Sequence, residues 1–189
     1  KNVYDEYKDR IGDIVSGSIR QVAHRDLIVD LGKTEAVLPA KERIPTEEYN
    51  VGDRIRAYVF RVQSGANGPA VVLSRACPEF VKTLFRLEVS EIADGIVEVM
   101  GVARDPGFRS KIAVKTLDEK VDPVGACVGL RGVRVRNIVR ELNGEKIDIV
   151  RWSDDIKQYV AQALAPARLE GVVVDPDEAR TVHVTVAPD

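Results

Sequence analysis

The most informative stretch of this chain is Val128-Gly129-Leu130-Arg131-Gly132-Val133-Arg134-Val135-Arg136-Asn137-Ile138. Its two glycines let the backbone turn tightly and approach a ligand closely, because neither carries a Cβ atom. The basic run that follows reads as a helix, and the N–H groups at the start of a helix favour an anion. The stretch therefore predicts a phosphate-binding loop joined to a basic helix.

The helix predicted after this loop has a core side and a solvent side. Val135, Ile138 and Leu142 recur at the helical period, whereas Arg136 and Arg140 lie on the edge of the opposite face. One alternative is a surface turn between two helices whose arginines serve solubility, because a lone Gly-x-x-Gly is common by chance. The context favours phosphate binding, since apolar residues precede the loop and a strand follows the helix.

The order of predicted elements around the loop carries a family resemblance. A helix is predicted over residues 79–88, strands over 95–102 and 110–116, and a last strand over 146–150. Helix, two strands, helix–loop–helix and strand is an order that resembles the bacterial (type II) KH domain. That domain clamps about four nucleotides of single-stranded RNA or DNA with a Gly-x-x-Gly loop.

Five motifs extend the resemblance over most of the chain. They are Leu73-Ser74-Arg75, Leu84-Phe85-Arg86-Leu87-Glu88-Val89, Val102-Ala103-Arg104-Asp105-Pro106-Gly107, Asp122-Pro123-Val124-Gly125-Ala126-Cys127-Val128-Gly129 and Gly144-Glu145-Lys146-Ile147-Asp148-Ile149. Together they resemble the central RNA-binding region of the NusA family of bacterial transcription elongation, termination and antitermination factors. The resemblance implies the nascent transcript, a single-stranded RNA, as ligand. It also implies RNA polymerase and other transcription factors as partners of a parent protein.

The loop and the resemblance together indicate which residues bind RNA. The expected backbone contacts are Gly129, Leu130, Arg131, Gly132, Arg134 and Arg136. The glycines permit close approach, the N–H groups of Leu130 and Arg131 meet phosphates, and the arginines add charge. Val135 and the strand around Ile147 are expected to form an apolar floor for the bases, whose edges are read by hydrogen bonds.

A second group of candidate phosphate contacts flanks a Pro-Gly corner. Arg104, Arg109 and Lys111 lie on either side of Pro106-Gly107. The alternative is that this segment is an ordinary hairpin turn.

The first part of the chain reads as a small barrel. Five short strands are predicted over residues 13–19, 27–31, 35–38, 54–62 and 70–74, with turns such as Asn67-Gly68-Pro69 between them. Five such strands suit a closed barrel, and their spacing resembles the S1-type OB-fold RNA-binding domain. Arg56 and Tyr58 alternate with core residues, so we expect them on the outer face, where a charge and a ring can bind a single strand.

The barrel departs from the pattern of its strongest RNA-binding relatives. Their second strand carries aromatic residues, whereas Arg25-Asp26-Leu27-Ile28 holds no aromatic ring at the matching positions. Base stacking contributes about 1–3 kcal/mol per base, so we expect a weak RNA-binding barrel. Two interpretations stay open: a spacer or protein-docking module, or a barrel that touches RNA through Arg25, Arg56 and Tyr58.

The predicted organisation is that of an α+β multidomain chain. Residues 1–10 are expected to be the tail of a preceding linker, 11–76 the barrel, 77–152 the KH domain, and 153–189 an incomplete second KH domain. The last segment shows one amphipathic helix and two strand signals, which is how a second KH unit would open. Because the chain begins at Lys1, we expect a fragment or a processed product.

Charge is unevenly distributed along the chain. The whole chain has a formal net charge of −2. Residues 101–152 hold eleven basic and seven acidic side chains, a net +4, whereas residues 153–189 carry −4. Local phosphate binding requires such a separated positive region, which the total hides.

Several classes of function are disfavoured by the sequence. It shows no nucleophile–base pair, metal-ligand cluster or phosphate-loop lysine motif, so we expect no enzymatic activity, no cofactor and no metal site. It has no apolar run of about 18 residues and no signal-peptide pattern, so we expect no membrane association. Cys77 and Cys127 lack metal-ligand neighbours and are expected to be buried, reduced thiols of a cytoplasmic protein.

Two other functions remain open at this level. The first is an RNA-binding accessory subunit of an RNA-degrading, exosome-type complex, since some such subunits place an S1-type barrel before a KH domain. The start of a second KH unit after residue 152 argues against it. The second is a protein-interaction scaffold whose Gly-x-x-Gly loop binds no nucleic acid. The retained glycines and the basic helix argue against it.

Overall fold

The N-terminal part of the chain is a closed five-stranded barrel with strand order β1-β2-β3-β5-β4 in a computed structural model, which describes residues 3–65 and 68–188. Its elements are helix α1 (Val3–Lys8) and strands β1 (Ile14–Val22), β2 (Asp26–Asp30), β3 (Glu35–Pro39), β4 (Arg54–Gly65) and β5 (Gly68–Ser74). The predicted five-stranded OB-type barrel is confirmed. Asn67 of the predicted turn at Asn67-Gly68-Pro69 lies outside the described residues.

Alternation along the strands explains the barrel's core. Successive side chains of a strand point to opposite faces, so every second residue turns inward, and these residues are apolar. The buried set is Val15, Ile19, Leu27, Val29, Ala36, Leu38, Ala57, Val59, Val71 and Leu73. Tyr7 of α1 joins the same core with 3% of its surface exposed, so α1 packs onto the barrel.

A second unit follows without an unstructured linker. Its elements are α2 (Pro78–Glu88), α3 (Ser90–Ala93), β6 (Val97–Asp105), β7 (Arg109–Thr116), α4 (Pro123–Val128), α5 (Val133–Glu141) and β8 (Lys146–Arg151). The sheet order is β6-β7-β8, with β6 and β7 antiparallel and β7 and β8 parallel. The predicted order of helices and strands around the Gly-x-x-Gly loop is confirmed, with small differences at the ends of elements.

Helix signals in the sequence match the observed starts of two helices in this unit. Pro78 and Pro123 each occupy the first turn of a helix, where a missing N–H group is tolerated. The Asp122 side chain accepts a hydrogen bond from Val124 N at 3.1 Å and so caps α4. Phe80 and Phe85 of α2 are fully buried in the core that the helices form on one face of the sheet.

The last segment consists of α6 (Ile156–Leu164) and a hairpin of β9 (Leu169–Val174) and β10 (Val182–Val186). The predicted helix and two strands are therefore present. Helix α6 packs beside β8, and its Tyr159 ring meets Trp152 edge-on at a centroid distance of 6.5 Å. None of the described helices is long and apolar enough to cross a lipid bilayer.

A buried guanidinium joins the barrel to the second unit. Arg75 is 3% exposed and pairs with both carboxylate oxygens of Glu47, at 2.8 and 2.9 Å. It also donates to the backbone oxygen of Arg56 in β4. Towards α5 it donates to the Glu141 backbone oxygen at 2.9 Å and the Glu141 carboxylate at 3.2 Å. One side chain thus fixes the barrel against the end of the helix that follows the Gly-x-x-Gly loop.

Replacing Arg75 by Met should lower the free energy of unfolding by about 3–5 kcal/mol, because it leaves the buried Glu47 carboxylate without its partner. The control is Arg20→Met. Arg20 is 60% exposed and pairs with Asp30 and Glu35, so its loss should lower stability by no more than about 1 kcal/mol. Urea unfolding of both variants gives the comparison. Equal losses would contradict the structural role of Arg75.

Candidate nucleic-acid interface

The clamp loop, residues 129–132, projects from the junction of α4 and α5. Gly129 and Gly132 have φ angles of 78° and 75°, and Arg131 between them has φ 55°. Left-handed backbone is unfavourable for most side chains, which explains why glycine occupies two of the three positions. Leu130 is 85% exposed at the apex. The loop therefore presents its backbone and the Leu130-Arg131 pair outward.

Gly129 is required by packing as well as by its backbone angle. A Cβ atom there would lie 2.7 Å from Arg134 Cγ and 2.9 Å from Arg134 Cβ. Arg134 crosses this position and donates to the Ala126 carbonyl at 2.7 Å and to Glu91 Oε2 at 2.6 Å. Hydrogen bonds from the Glu91 backbone N–H and from Arg134 hold the pKa of Glu91 below its usual value. Arg134 therefore shapes the loop, and its charge is partly neutralised by Glu91.

Arg136 supports the loop from its other side. Its Nη2 atom donates to the Arg131 carbonyl at 2.8 Å, while the side chain stays exposed. Arg131 and Arg140 are also exposed, and none of these three arginines forms a salt bridge with a described residue. The N–H groups of Leu130 and Arg131 donate to no acceptor in residues 3–65 and 68–188. Backbone donors and the uncompensated charge of Arg131 thus coincide at the apex.

A groove runs beside the clamp loop along the free edge of β8. Among the described residues β8 pairs with β7 alone, so its other edge carries backbone groups with no partner strand. The groove has a volume of about 360 Å³. It is lined by Lys111, Val128, Val135, Ile147, Asp148, Ile149, Val150, Gln162, Ala165 and Pro166. The structure therefore brings Val135 and Ile147, the predicted floor residues, together next to the loop.

The prediction that Arg104 contacts phosphate is wrong. Its side chain is 0% exposed and forms a bidentate pair with Glu145, also 0% exposed, at 3.0–3.3 Å. It donates in addition to the Cys77 carbonyl at 3.0 Å. Glu145 further accepts from Gly107 N and Ser110 Oγ, both at 2.7 Å. This network anchors the β6–β7 hairpin and keeps Arg104 away from solvent.

Arg109 and Lys111 have intramolecular partners that the sequence did not reveal. Arg109 Nε lies 2.7 Å from Asp148 Oδ2, and this hydrogen bond raises the pKa of the half-exposed guanidinium. Lys111 Nζ donates to the backbone oxygens of Ala163 and, at 3.2 Å, Ala165, at the end of α6. Lys111 still lines the groove, but its ammonium is engaged by α6.

The predicted RNA-binding face of the barrel is divided by the fold. Tyr58 is half-buried and packs against the core of the second unit, and burial raises the pKa of its hydroxyl. The ring also lines a groove with Lys82 and Arg86, so only part of it is accessible for stacking. Arg56 is exposed and lies 3.8 Å from Glu141. Arg25 lies elsewhere, in the exposed β1–β2 turn, where its carbonyl accepts from Ala40 N.

Three residues that organise the interface escaped the sequence analysis. Arg75 and Glu145 lie in quoted motifs, but charged residues next to turns resemble ordinary surface residues. Gln162 belongs to the amphipathic pattern of α6, and only the structure shows that it reaches the groove. The family resemblance did include the motifs that contain Arg75 and Glu145, but it assigned no role to either residue.

The two cysteines are buried, and burial makes their thiols less acidic. Cys77 and Cys127 are buried and unpaired, as expected. Burial raises the pKa of Cys77 and raises that of Cys127 to about 12, which disfavours the reactive thiolate at neutral pH. Within the described residues, no group of three or more His, Cys, Asp or Glu side chains is placed to hold a metal ion.

Comparison with known proteins agrees with this architecture. Residues 8–74 match the model of the S1 RNA binding domain, and residues 75–152 match that of the NusA-like first KH domain. The chain is similar to NusA proteins over nearly its whole length. It is 50% identical over 187 residues to the transcription termination/antitermination protein NusA of Halalkalibacterium halodurans, 46% to that of Bacillus subtilis and 44%, over 188 residues, to that of Thermus thermophilus.

The NusA match extends over nearly the whole chain. Each of these alignments covers 99% of the chain, and the chain spans about half the length of the relatives, 48%, 50% and 48%. The match therefore includes the segment after residue 152. It favours the NusA interpretation over an accessory subunit of an exosome-type complex.

Gly129→Ala should destabilise the chain more than Gly144→Ala. Both positions have positive φ, 78° and 93°, so both variants bear a backbone penalty, which is larger at Gly129 because its ψ of 170° places it in a region that is essentially restricted to glycine. Only Gly129 adds a clash with Arg134, whereas a Cβ at Gly144 meets nothing within 4 Å. Thermal or urea unfolding would measure the difference. Equal destabilisation would show that Arg134 does not pack over the loop as described.

Proposed function

We propose that this chain is a single-stranded RNA-binding module whose clamp loop holds the phosphate backbone beside the β8 groove. The observation that supports it most directly is the exposed loop, in which the N–H groups of Leu130 and Arg131 have no acceptor among the described residues. Next to this loop lies a largely apolar groove along the free edge of β8. The matches to the S1 RNA binding domain and to the NusA-like first KH domain support the same ligand.

The phosphate contacts follow from the loop geometry. The N–H groups of Leu130 and Arg131 donate to phosphate oxygens, and Gly129 and Gly132 keep side chains out of the approach path. Arg131 supplies the accessible charge at the apex, and Arg136 adds charge while it supports the Arg131 carbonyl. Because the left-handed loop is already formed in the free chain, little ordering is required on binding.

The bases lie in the groove. Val135, Ile147 and neighbouring aliphatic side chains offer an apolar floor, and the free edge of β8 offers backbone donors and acceptors to base edges. No aromatic side chain lines this groove in the described part of the chain, so stacking on protein rings contributes little there. Preference among bases then comes from hydrogen bonds to their edges.

The barrel plays a smaller part in this proposal. Arg25 and Arg56 are exposed and can contact a strand, whereas Tyr58 is half-buried against the second unit. On the outer barrel surface Arg20 is paired with Asp30 and Glu35, both at 2.9 Å, which reduces its attraction for phosphate. We therefore propose that the barrel binds RNA weakly and mainly sets the orientation of its neighbour.

The wider role rests on the relatives. Their names describe transcription termination and antitermination proteins. We propose that this chain serves a NusA-like factor in the cytoplasm, where it contacts the nascent transcript and modulates pausing, termination and antitermination by RNA polymerase. In this role it binds RNA and transcription partners and catalyses no reaction.

Fluorescence anisotropy with a short labelled RNA across a salt series tests the clamp. The native chain should show a log–log salt slope of about −2 to −3, which corresponds to three or four phosphate contacts on a single strand. The double variant Leu130→Asp, Arg131→Asp should lose about tenfold or more in affinity, since negative charge then faces the phosphates. Asp tolerates the left-handed backbone at position 131 better than most residues, so the fold should persist.

The matched control is Arg86→Asp, Leu87→Asp in α2. It changes the same two residue types by the same charge at exposed, adjacent positions. Its affinity should stay within about threefold of the native value, since long-range repulsion is largely screened at physiological salt. If both double variants lose affinity equally, or if neither does, the clamp loop is not the binding site.

A further inference from the structure

The groove beside the clamp is completed by the segment that follows the first KH unit. Gln162, Ala165 and Pro166 line it together with Val128 and Val135 of the first KH unit. The tie that holds these residues is Lys111, whose Nζ atom donates to the Ala163 and Ala165 carbonyls at the end of α6. The end of α6 is thereby fixed against the sheet, and Gln162 is brought to the groove.

Gln162 is distinguished by an unmet hydrogen-bonding requirement. Its Oε1 atom is the one buried side-chain nitrogen or oxygen atom without a hydrogen-bond partner among residues 3–65 and 68–188. A buried carbonyl oxygen without a donor is unfavourable, and native structures rarely retain one without a reason. The terminal torsion of a glutamine is broad and roughly two-fold, so rotation about it can turn this oxygen towards the groove.

We propose that Gln162 reads a base in the groove by accepting a hydrogen bond from an exocyclic amine, so that cytosine or adenine is preferred there over uracil. The inference rests on the proposed RNA-binding function and adds a residue that sets base preference. Cytosine presents an amine at the ring position where uracil presents a carbonyl oxygen. An acceptor that faces this position binds the first and is repelled by the second.

The amide of Gln162 can strengthen this recognition with its nitrogen. In cytosine and in adenine the amine lies next to a ring nitrogen that accepts a hydrogen bond. The Nε2 group of the same side chain can donate to that atom, which gives the bidentate amide–base pairing known for Asn and Gln with adenine. Apolar groove walls exclude competing water and sharpen the difference.

The test compares cytosine and uracil homopolymers of equal length, which carry equal phosphate charge and similar ring size. Anisotropy should show the native chain binding the cytosine polymer about fivefold more tightly, the size of one net hydrogen bond. In Gln162→Met, which keeps side-chain length, this ratio should fall to about one, mainly through weaker binding of the cytosine polymer.

The control is Gln158→Met, on the same helix. Gln158 is exposed, outside the groove, and accepts a hydrogen bond from Ser153. It should keep the native ratio, and both variants should keep the native salt slope. A native ratio near one, or a ratio that survives in Gln162→Met, would overturn the inference. Binding that persists unchanged in Leu130→Asp, Arg131→Asp would instead overturn the proposed function itself.

Discussion

Two buried guanidinium groups lie against the ring of Phe80, and the arrangement of the domains depends on them. Arg75 lies 5.3 Å and Arg104 6.0 Å from the ring centroid. Arg75 connects the barrel to the end of α5 at Glu141, and Arg104 connects α2 to the β6–β7 hairpin through Glu145. Each charge is compensated by a carboxylate, because an unpaired buried charge would be strongly destabilising. The barrel, the helices and the sheet are therefore held in one arrangement, and the clamp loop has a fixed base.

The same division of labour extends to the clamp itself. Arg134 and Arg136 hydrogen-bond to backbone oxygens on either side of the loop and hold its left-handed geometry. Arg131 is left at the apex with its full charge. A loop shaped in this way before the ligand arrives loses little entropy on binding. Most arginines near the loop therefore stabilise its conformation. In this account the phosphate backbone is bound by backbone N–H groups and by one or two unpaired arginines.

Local patterns predicted the elements well, because strand alternation, helical periodicity and the first-turn prolines act within a few residues. The Gly-x-x-Gly loop was equally visible, since positive φ requires glycine there. Pairings between distant residues were not visible. The sequence predicted that Arg104 is an accessible cation, but in the fold it pairs with Glu145, which lies 41 positions later in the chain. The sequence correctly predicted that Tyr58 lies on the outer face of its strand. That its ring packs against the second unit is visible only in the structure. Gln162 reaches the groove only because of where α6 packs, which local patterns do not specify.

The central claim is that RNA binds at the clamp loop and the adjoining groove. An amide-resolved NMR titration of the isotope-labelled chain with a short single-stranded RNA tests it most directly. The account predicts that the largest shift changes fall on the backbone N–H groups of Leu130 and Arg131, on Ile147 in β8 and on the side-chain amide of Gln162. Shift changes confined to the outer strands of the barrel, with the loop unaffected, would contradict it.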